Sequence, residues 1–228
     1  MDVSLNQQTY DRLKKDIMTF SLKPGEQVSA SKIASRYGVS RTPAREALVR
    51  LQAEGLVDIY PQSKSMISRI KQKLIMQEWF VRKSLETGMV DDFFKGVTKE
   101  DLDLMRVCVN EQEKVGKEPR DHENSYIYLQ KDDEFHQVIY RAAGKKLAAR
   151  IIADMLPNYR RVRLLVDMDD VYKKRTVTDH MRLIKLVEEN RKEEYRTLLS
   201  EHLGHIIDDM EYLKEKMPQI FEENGYGF

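Results

Sequence analysis

The stretch Gly38-Val39-Ser40-Arg41-Thr42-Pro43-Ala44-Arg45-Glu46-Ala47-Leu48 constrains this chain more than any other. Gly38 suits the C-terminal end of one helix, where a left-handed backbone is common. Thr42 and Pro43 suit the N-cap and first turn of the next, where a side-chain oxygen can accept an orphan amide and a missing N–H costs nothing. Two short helices therefore meet at a tight turn. On the second, Ala44, Ala47, Leu48 and Leu51 carry the apolar spacing, and Arg41 and Arg45 stand four residues apart at its opening. The arginines must point away from the core. An exposed helix end carrying forked guanidinium donors is what a helix-turn-helix protein lays in the major groove, where Arg can bond guanine O6 and N7 together.

The flanks sharpen this reading. Leu22-Lys23-Pro24-Gly25-Glu26 precedes the stretch and Glu54-Gly55-Leu56-Val57 follows it. With both in place, roughly the first seventy residues resemble the GntR family of bacterial winged-helix regulators. The resemblance implies base contacts from Arg41 and Arg45, with Ser40 and Thr42 near phosphate. Two positions depart from the family pattern: Lys64 stands where a wing-tip glycine is usual, and Ser31 where Arg or Glu is common. Lys64 is expected to reach a phosphate, and its side chain opposes the close approach of a bare wing backbone to the minor groove.

The first helix is expected over residues 5–20, with Tyr10, Leu13, Ile17 and Phe20 at spacings of three and four. A second carries Ile33, Ala34 and Tyr37, capped by Ser29 or Ser31, and the third runs to Glu54, where Gly55 stops it. Val57 and Ile59 alternate with Asp58 and Tyr60, and residues 65–70 can return as a second strand, leaving Pro61 to Lys64 as the wing tip.

The formal charge of +1 hides an asymmetry. Through Ile75 there are 13 Lys and Arg against 7 Asp and Glu; the remainder holds 26 against 31. The basic part carries the recognition helix, so a near-neutral total is no evidence against DNA binding, which needs only local phosphate contacts. No run approaches the ~18 apolar residues of a membrane span, and the opening residues lack a signal peptide's apolar segment, so a cytoplasmic protein is expected. With 41% apolar residues, disorder is not expected. The single cysteine, Cys108, reads as a small buried residue.

Residues 71–73 form a short polar connector, which places a DNA-binding domain at 1–72 and a second domain at 73–228. Everything after the connector is helical in pattern. Ile75, Trp79, Arg82, Glu86, Val90 and Phe93 share one face, and Thr98 with Asp101 offers a capping box to a helix ending near Gly116. Further helices are expected over 124–143, over 147–166 with a bend at Pro157, over 178–190 and over 192–216. Six or so amphipathic helices make an all-α antiparallel bundle, so the chain as a whole is mainly α.

Four polar residues occupy positions that the periodicity assigns to the bundle core. Asp132 and His136 share a stripe with Leu129 and Ile139; His180 lies with Leu183, Ile184 and Val187; His202 lies among Leu199, Ile206 and Met210. A lone core histidine is more often satisfied by a hydrogen bond than a ligand. Together, three imidazoles and one carboxylate form a first shell suited to a borderline divalent metal. The same residues resemble the FCD effector domain of the FadR-type branch of GntR regulators over about residues 74–216. Its Asp-x-x-Phe-His motif reads here as Asp132-Asp133-Glu134-Phe135-His136, and the later family histidines fall on His180 and His202. All four ligand positions are filled, with zinc first among the metals and nickel, manganese or iron as alternatives. Asp133 faces another side and is expected to be solvated; His205 reads as an outer or surface residue, and His122 carries no signal.

A buried guanidinium needs a partner. Arg82, in the middle of the Ile75 face, therefore either pairs with Glu86 or meets a small organic or sugar acid that also reaches the metal, with Arg163 as a second candidate. A bundle metalloenzyme on a DNA-binding head and a purely structural metal are the rival readings; no carboxylate besides Glu86 approaches the position of a general base. The expected whole is a homodimeric, ligand-responsive regulator, a repressor by family resemblance, that binds a palindromic double-stranded operator, because one recognition helix sees only a few base pairs.

Overall fold

A computed structural model of the chain describes residues 4–60, 65–119, 121–155, 157–167 and 170–222. Its contacts divide the chain into two compact units, Met1–Gln72 with Lys216–Phe228, and Lys73–Glu215.

In the first unit, α1 (Leu5–Met18) is capped by Ser4, whose side chain accepts from the Gln7 amide, and buries Tyr10, Leu13 and Ile17. Strand β1 (Gln27–Val28) leads to α2 (Ala30–Tyr37), where Ser29 takes the cap and accepts from the Lys32 amide. Gly38 ends α2 at φ 68°, with its amide bonded to the Ala34 carbonyl, as the left-handed closure requires. The next helix, α3 (Arg41–Ala53), begins one step earlier than expected. Ser40 holds the extended cap position, so Thr42 lies inside the first turn and Pro43 is the third helical residue, where an amide would still lack an intrahelical acceptor. Ala44, Ala47, Leu48 and Leu51 are all buried, and α3 packs on α1 and α2.

Strands β2 (Val57–Ile59) and β3 (Ser65–Ile67) form the expected hairpin, but β1 adds a third strand in the order β1-β3-β2. Both pairings are antiparallel, with Met66 opposite Gln27 on one side and Asp58 on the other. The wing-tip residues 61–64, Lys64 included, lie outside the described residues. Beyond β3, Ile70 pairs in parallel with Phe221; its amide donates to the Ile220 carbonyl at 2.9 Å, and its own carbonyl accepts from Glu222 at 3.0 Å. Both side chains are buried, within the unit that Met1–Gln72 forms with Lys216–Phe228.

The second unit is all helix among its described elements: α4 (Gln72–Gly88), α5 (Val90–Gly96), α6 (Lys99–Gly116), α7 (His122–Ala142), α8 (Lys146–Met155), α9 (Pro157–Asp167), α10 (Asp170–Glu188), α11 (Lys192–Gly204) and α12 (Ile206–Lys216). Helices α6 and α7 pack along each other across a short loop, and α10 lies against both α6 and α11. The Thr98–Asp101 capping box forms with both of its bonds. Cys108 is buried, and no described helix is long and apolar enough to cross a membrane. The expected helices differ in several places: Val90 and Phe93 lie on α5 rather than on α4 with Ile75, and the 147–166 span is divided between α8 and α9. Helix α10 starts eight residues before Thr178, whose hydroxyl bonds back to the Lys174 carbonyl at 2.8 Å as a mid-helix residue rather than capping. The span 192–216 is broken at His205, directly after Gly204.

Candidate nucleic-acid interface and metal centre

On α3 the side chains of Ser40, Arg41, Thr42 and Arg45 are all exposed. Neither Arg41 nor Arg45 has an internal ion-pair or hydrogen-bond partner among the described residues. Neighbouring cations are engaged instead: Arg36 meets Asp16 at 2.9 Å, and Arg50, farther along α3, stacks over the Tyr10 ring at 3.7 Å. On α3 the two guanidiniums left over among the described residues are those at its opening.

In the helical unit, α7 presents Asp132 and His136 one turn apart, α10 presents His180 and α11 presents His202. Asp132, His136 and His180 are buried, and the ligand-capable atoms of the four residues lie within 4.8 Å of one another. Asp132 Oδ2 stands 3.7 Å from His136 Nε2, and its Oδ1 stands 3.6 Å from His180 Nε2. The Phe135 ring stacks on His180 at 3.9 Å and fixes its plane.

The opposite edge of each imidazole is held by a separate acceptor. His136 Nδ1 meets Glu86 at 2.7 Å, His180 Nδ1 meets the Gln112 carbonyl oxygen at 2.9 Å, and His202 Nδ1 meets Asp179 at 3.4 Å. Each acceptor assigns the ring proton to Nδ1, so all three Nε2 atoms carry lone pairs. Those of His136 and His180 are buried with no hydrogen-bond partner. Buried polar atoms are rarely left so, and imidazoles oriented from behind with their lone pairs converging on a carboxylate are the donor set of a metal site. The residues fit a divalent ion. Burial pushes the His180 imidazole well down and the His202 imidazole down, which keeps both neutral. Burial alone would raise the Asp132 carboxyl, but the Arg163 guanidinium beside it, with Arg82, outweighs it and holds it below the usual carboxylate range.

Arg82 is buried and donates Nε to Glu86 at 2.6 Å, so in this arrangement its partner is the internal one. Arg163 reaches Asp132 directly and Asp133 at 3.0 Å. Asp133, expected to be solvated, is half-exposed and also pairs with Arg160 at 2.7 Å. His205 meets Asp179 at 3.2 Å and stays outside the ligand set, and the His122 side chain lies outside the described residues. Sequence reasoning missed Glu86, Gln112 and Asp179 as the groups behind the imidazoles. A signal existed for Gln112, which continues the buried stripe of Met105, Cys108 and Val109.

Comparison with known proteins places both halves. The description "Bacterial regulatory proteins, gntR family" matches residues 5–67, and the FCD domain matches residues 79–205. An HTH-type transcriptional regulator in an unstable DNA locus of Streptomyces ambofaciens is 28% identical over 212 residues, covering 93% of this chain and 87% of that protein. The HTH-type transcriptional repressor RspR of Escherichia coli is 24% identical over 220 residues, covering 96% and 94%. Among solved structures, McbR/YncC of Escherichia coli superposes with a TM-score of 0.74 at 20% identity, covering 94% of this chain and 99% of that one. A helix-turn-helix with an exposed second helix, an all-helical second unit and these matches agree: the chain belongs to the GntR family of bacterial transcriptional regulators, as a DNA-binding regulator with an FCD domain rather than an enzyme.

Proposed function

We propose that the protein is a homodimeric repressor that reads a palindromic operator and loads a divalent metal in its helical domain, and that a small carboxylic acid is its signal. Arg41 and Arg45 would read guanine edges, with Ser40, Thr42 and Lys64 on phosphates. Asp132, His136, His180 and His202 would hold the ion. The three-nitrogen, one-oxygen set suits zinc first, and nickel, manganese or iron next. The observation that carries this reading is the pair of buried, partnerless Nε2 atoms of His136 and His180 facing Asp132. Bound there, the metal would supply a Lewis-acidic position for an anionic group. Arg163 is the better placed of the two candidate arginines to meet such an anion, because it already binds the ligand carboxylate, whereas Arg82 is tied to Glu86.

The purely structural metal remains a second reading, supported by one observation: Arg82 and Arg163 already have internal counter-charges. Titrating zinc-loaded protein with acetate while following operator binding separates the two. Acid binding that weakens DNA affinity supports the signal reading, because the two affinities must be reciprocally linked. Full metal content with no response to any acid supports the structural one.

A further inference from the structure

Two cavities meet at the metal centre, and three side chains divide them. The smaller one, about 50 Å³, is bounded by Asp132, His202 and Arg175. The larger one, about 120 Å³, is bounded by His136, Tyr140, Ile152, Ala153 and Arg160. Arg82, Tyr159 and Arg163 line both. The Tyr159 ring lies between the two guanidiniums, whose carbons stand 5.2 Å and 5.7 Å from its centre. Arg82 and Tyr159 are buried, and Arg82 is held by Glu86. Arg163 also pairs with two carboxylates, Asp132, which lines the smaller cavity, and Asp133, which lines the larger. A rotation that gave up the first and kept the second would join the two cavities.

The smaller cavity has room for on the order of four waters, enough for a carboxylate. The larger cavity is walled by the buried Tyr140, Tyr159 and Ile152, and the Tyr140 hydroxyl is already given to Glu86 at 2.5 Å. Its other polar lining is largely committed, Arg82 and His136 to Glu86 and Arg160 to Asp133, while Gln137 and Ala153 are exposed. We infer that Arg163 is a gate between a carboxylate position at the metal centre and an apolar tail pocket at Ile152 and Ala153. The signal is then a monocarboxylate with a short apolar body, rather than a polyhydroxylated sugar acid. This rests on the carboxylate reading above and narrows it.

The test is calorimetric titration of zinc-loaded protein with acetate, propanoate, butanoate and gluconate. Wild-type affinity should rise about fourfold per added methylene, with gluconate weaker than butanoate. In Ile152→Trp, which fills the pocket, acetate should bind as in wild type while the rise is lost. Ala153→Trp, at an exposed position, blocks the same space without disturbing the core; zinc content and circular dichroism certify both variants. Arg163→Ala should bind acetate more weakly yet keep the chain-length rise. A flat series in wild type, or an unchanged rise in both tryptophan variants, would overturn the tail pocket and leave the carboxylate reading standing. Failure of every acid to bind, acetate included, would remove the carboxylate reading and this inference with it.

Discussion

The face of α3 and the centre of the helical unit leave opposite things unmet. On α3, two cations remain exposed and unpartnered among the described residues while their neighbours Arg36 and Arg50 are engaged. In the helical unit the charges are paired, Arg82 with Glu86 and Arg163 with Asp132 and Asp133, and what remains without a partner is a set of neutral nitrogen lone pairs. Unpaired surface cations suit a polyanion that arrives from outside and releases counterions. Buried lone pairs cannot hold an anion; they need an electrophile, and only a metal ion or a proton fits between them. The contrast separates two kinds of partner before any ligand is named.

The largest expected effect tests the lone-pair side. Purified protein should carry close to one divalent ion per chain, and the triple variant of His136, His180 and His202 to alanine should carry none by elemental analysis, with each single variant strongly depleted. His205→Ala should keep its metal. Full metal content in the triple variant would remove the site. Next in size, Arg41→Ala and Arg45→Ala should each weaken specific operator binding by ~1–3 kcal/mol and leave random duplex nearly unaffected. Equal losses on both DNAs would turn the pair into phosphate contacts. Lys64→Ala should differ in kind, lowering affinity for all sequences and reducing the salt slope by about one.

A smaller effect tests whether the groups behind the imidazoles matter. Gln112→Ala removes the acceptor of the His180 Nδ1 proton and frees the ring to turn. Zinc affinity should fall roughly tenfold, the low end for such supporting groups because the amide is neutral, with helix content unchanged. Unaltered affinity would mean that Phe135 stacking alone sets the ring.

These supporting groups also mark where the sequence stops being informative. Gly38, the Thr98–Asp101 box and the apolar stripe of α3 are legible because each is a local requirement, settled by residues within one or two turns. The cluster of Asp132, His136, His180 and His202 is legible for a related reason: polar residues on an apolar stripe stand out wherever they are. Glu86 and Gln112 serve histidines 50 and 68 positions away, on helices whose pairing no local pattern encodes. Asp179 adjoins His180 yet supports His202, because neighbouring helical residues point to different faces. Strand β1 has only two residues, too few for an alternating pattern, and exists because β3 offers it an edge.

The smallest effect is the most discriminating for the DNA-binding side. Arg50 shares α3 with Arg41 and Arg45, carries the same charge and is exposed, so a purely electrostatic account of the helix would give it a comparable share of DNA affinity. Its guanidinium is already committed within the fold, stacked 3.7 Å over Tyr10 and donating to Gln7 at 3.0 Å. Tyr10 is itself held by its hydroxyl on Glu54 at 2.5 Å, so the platform under Arg50 is fixed. Arg50→Ala should therefore cost ~0.5–1 kcal/mol of unfolding free energy, the range of an exposed cation–π contact, and leave operator affinity essentially unchanged at fixed salt. Chemical denaturation and operator titration on the same preparation measure both numbers. If Arg50→Ala weakens operator binding as much as Arg41→Ala, internal pairing does not sort the cations of α3. Base reading by the two arginines at its opening would then have to be argued from their place at the helix end alone.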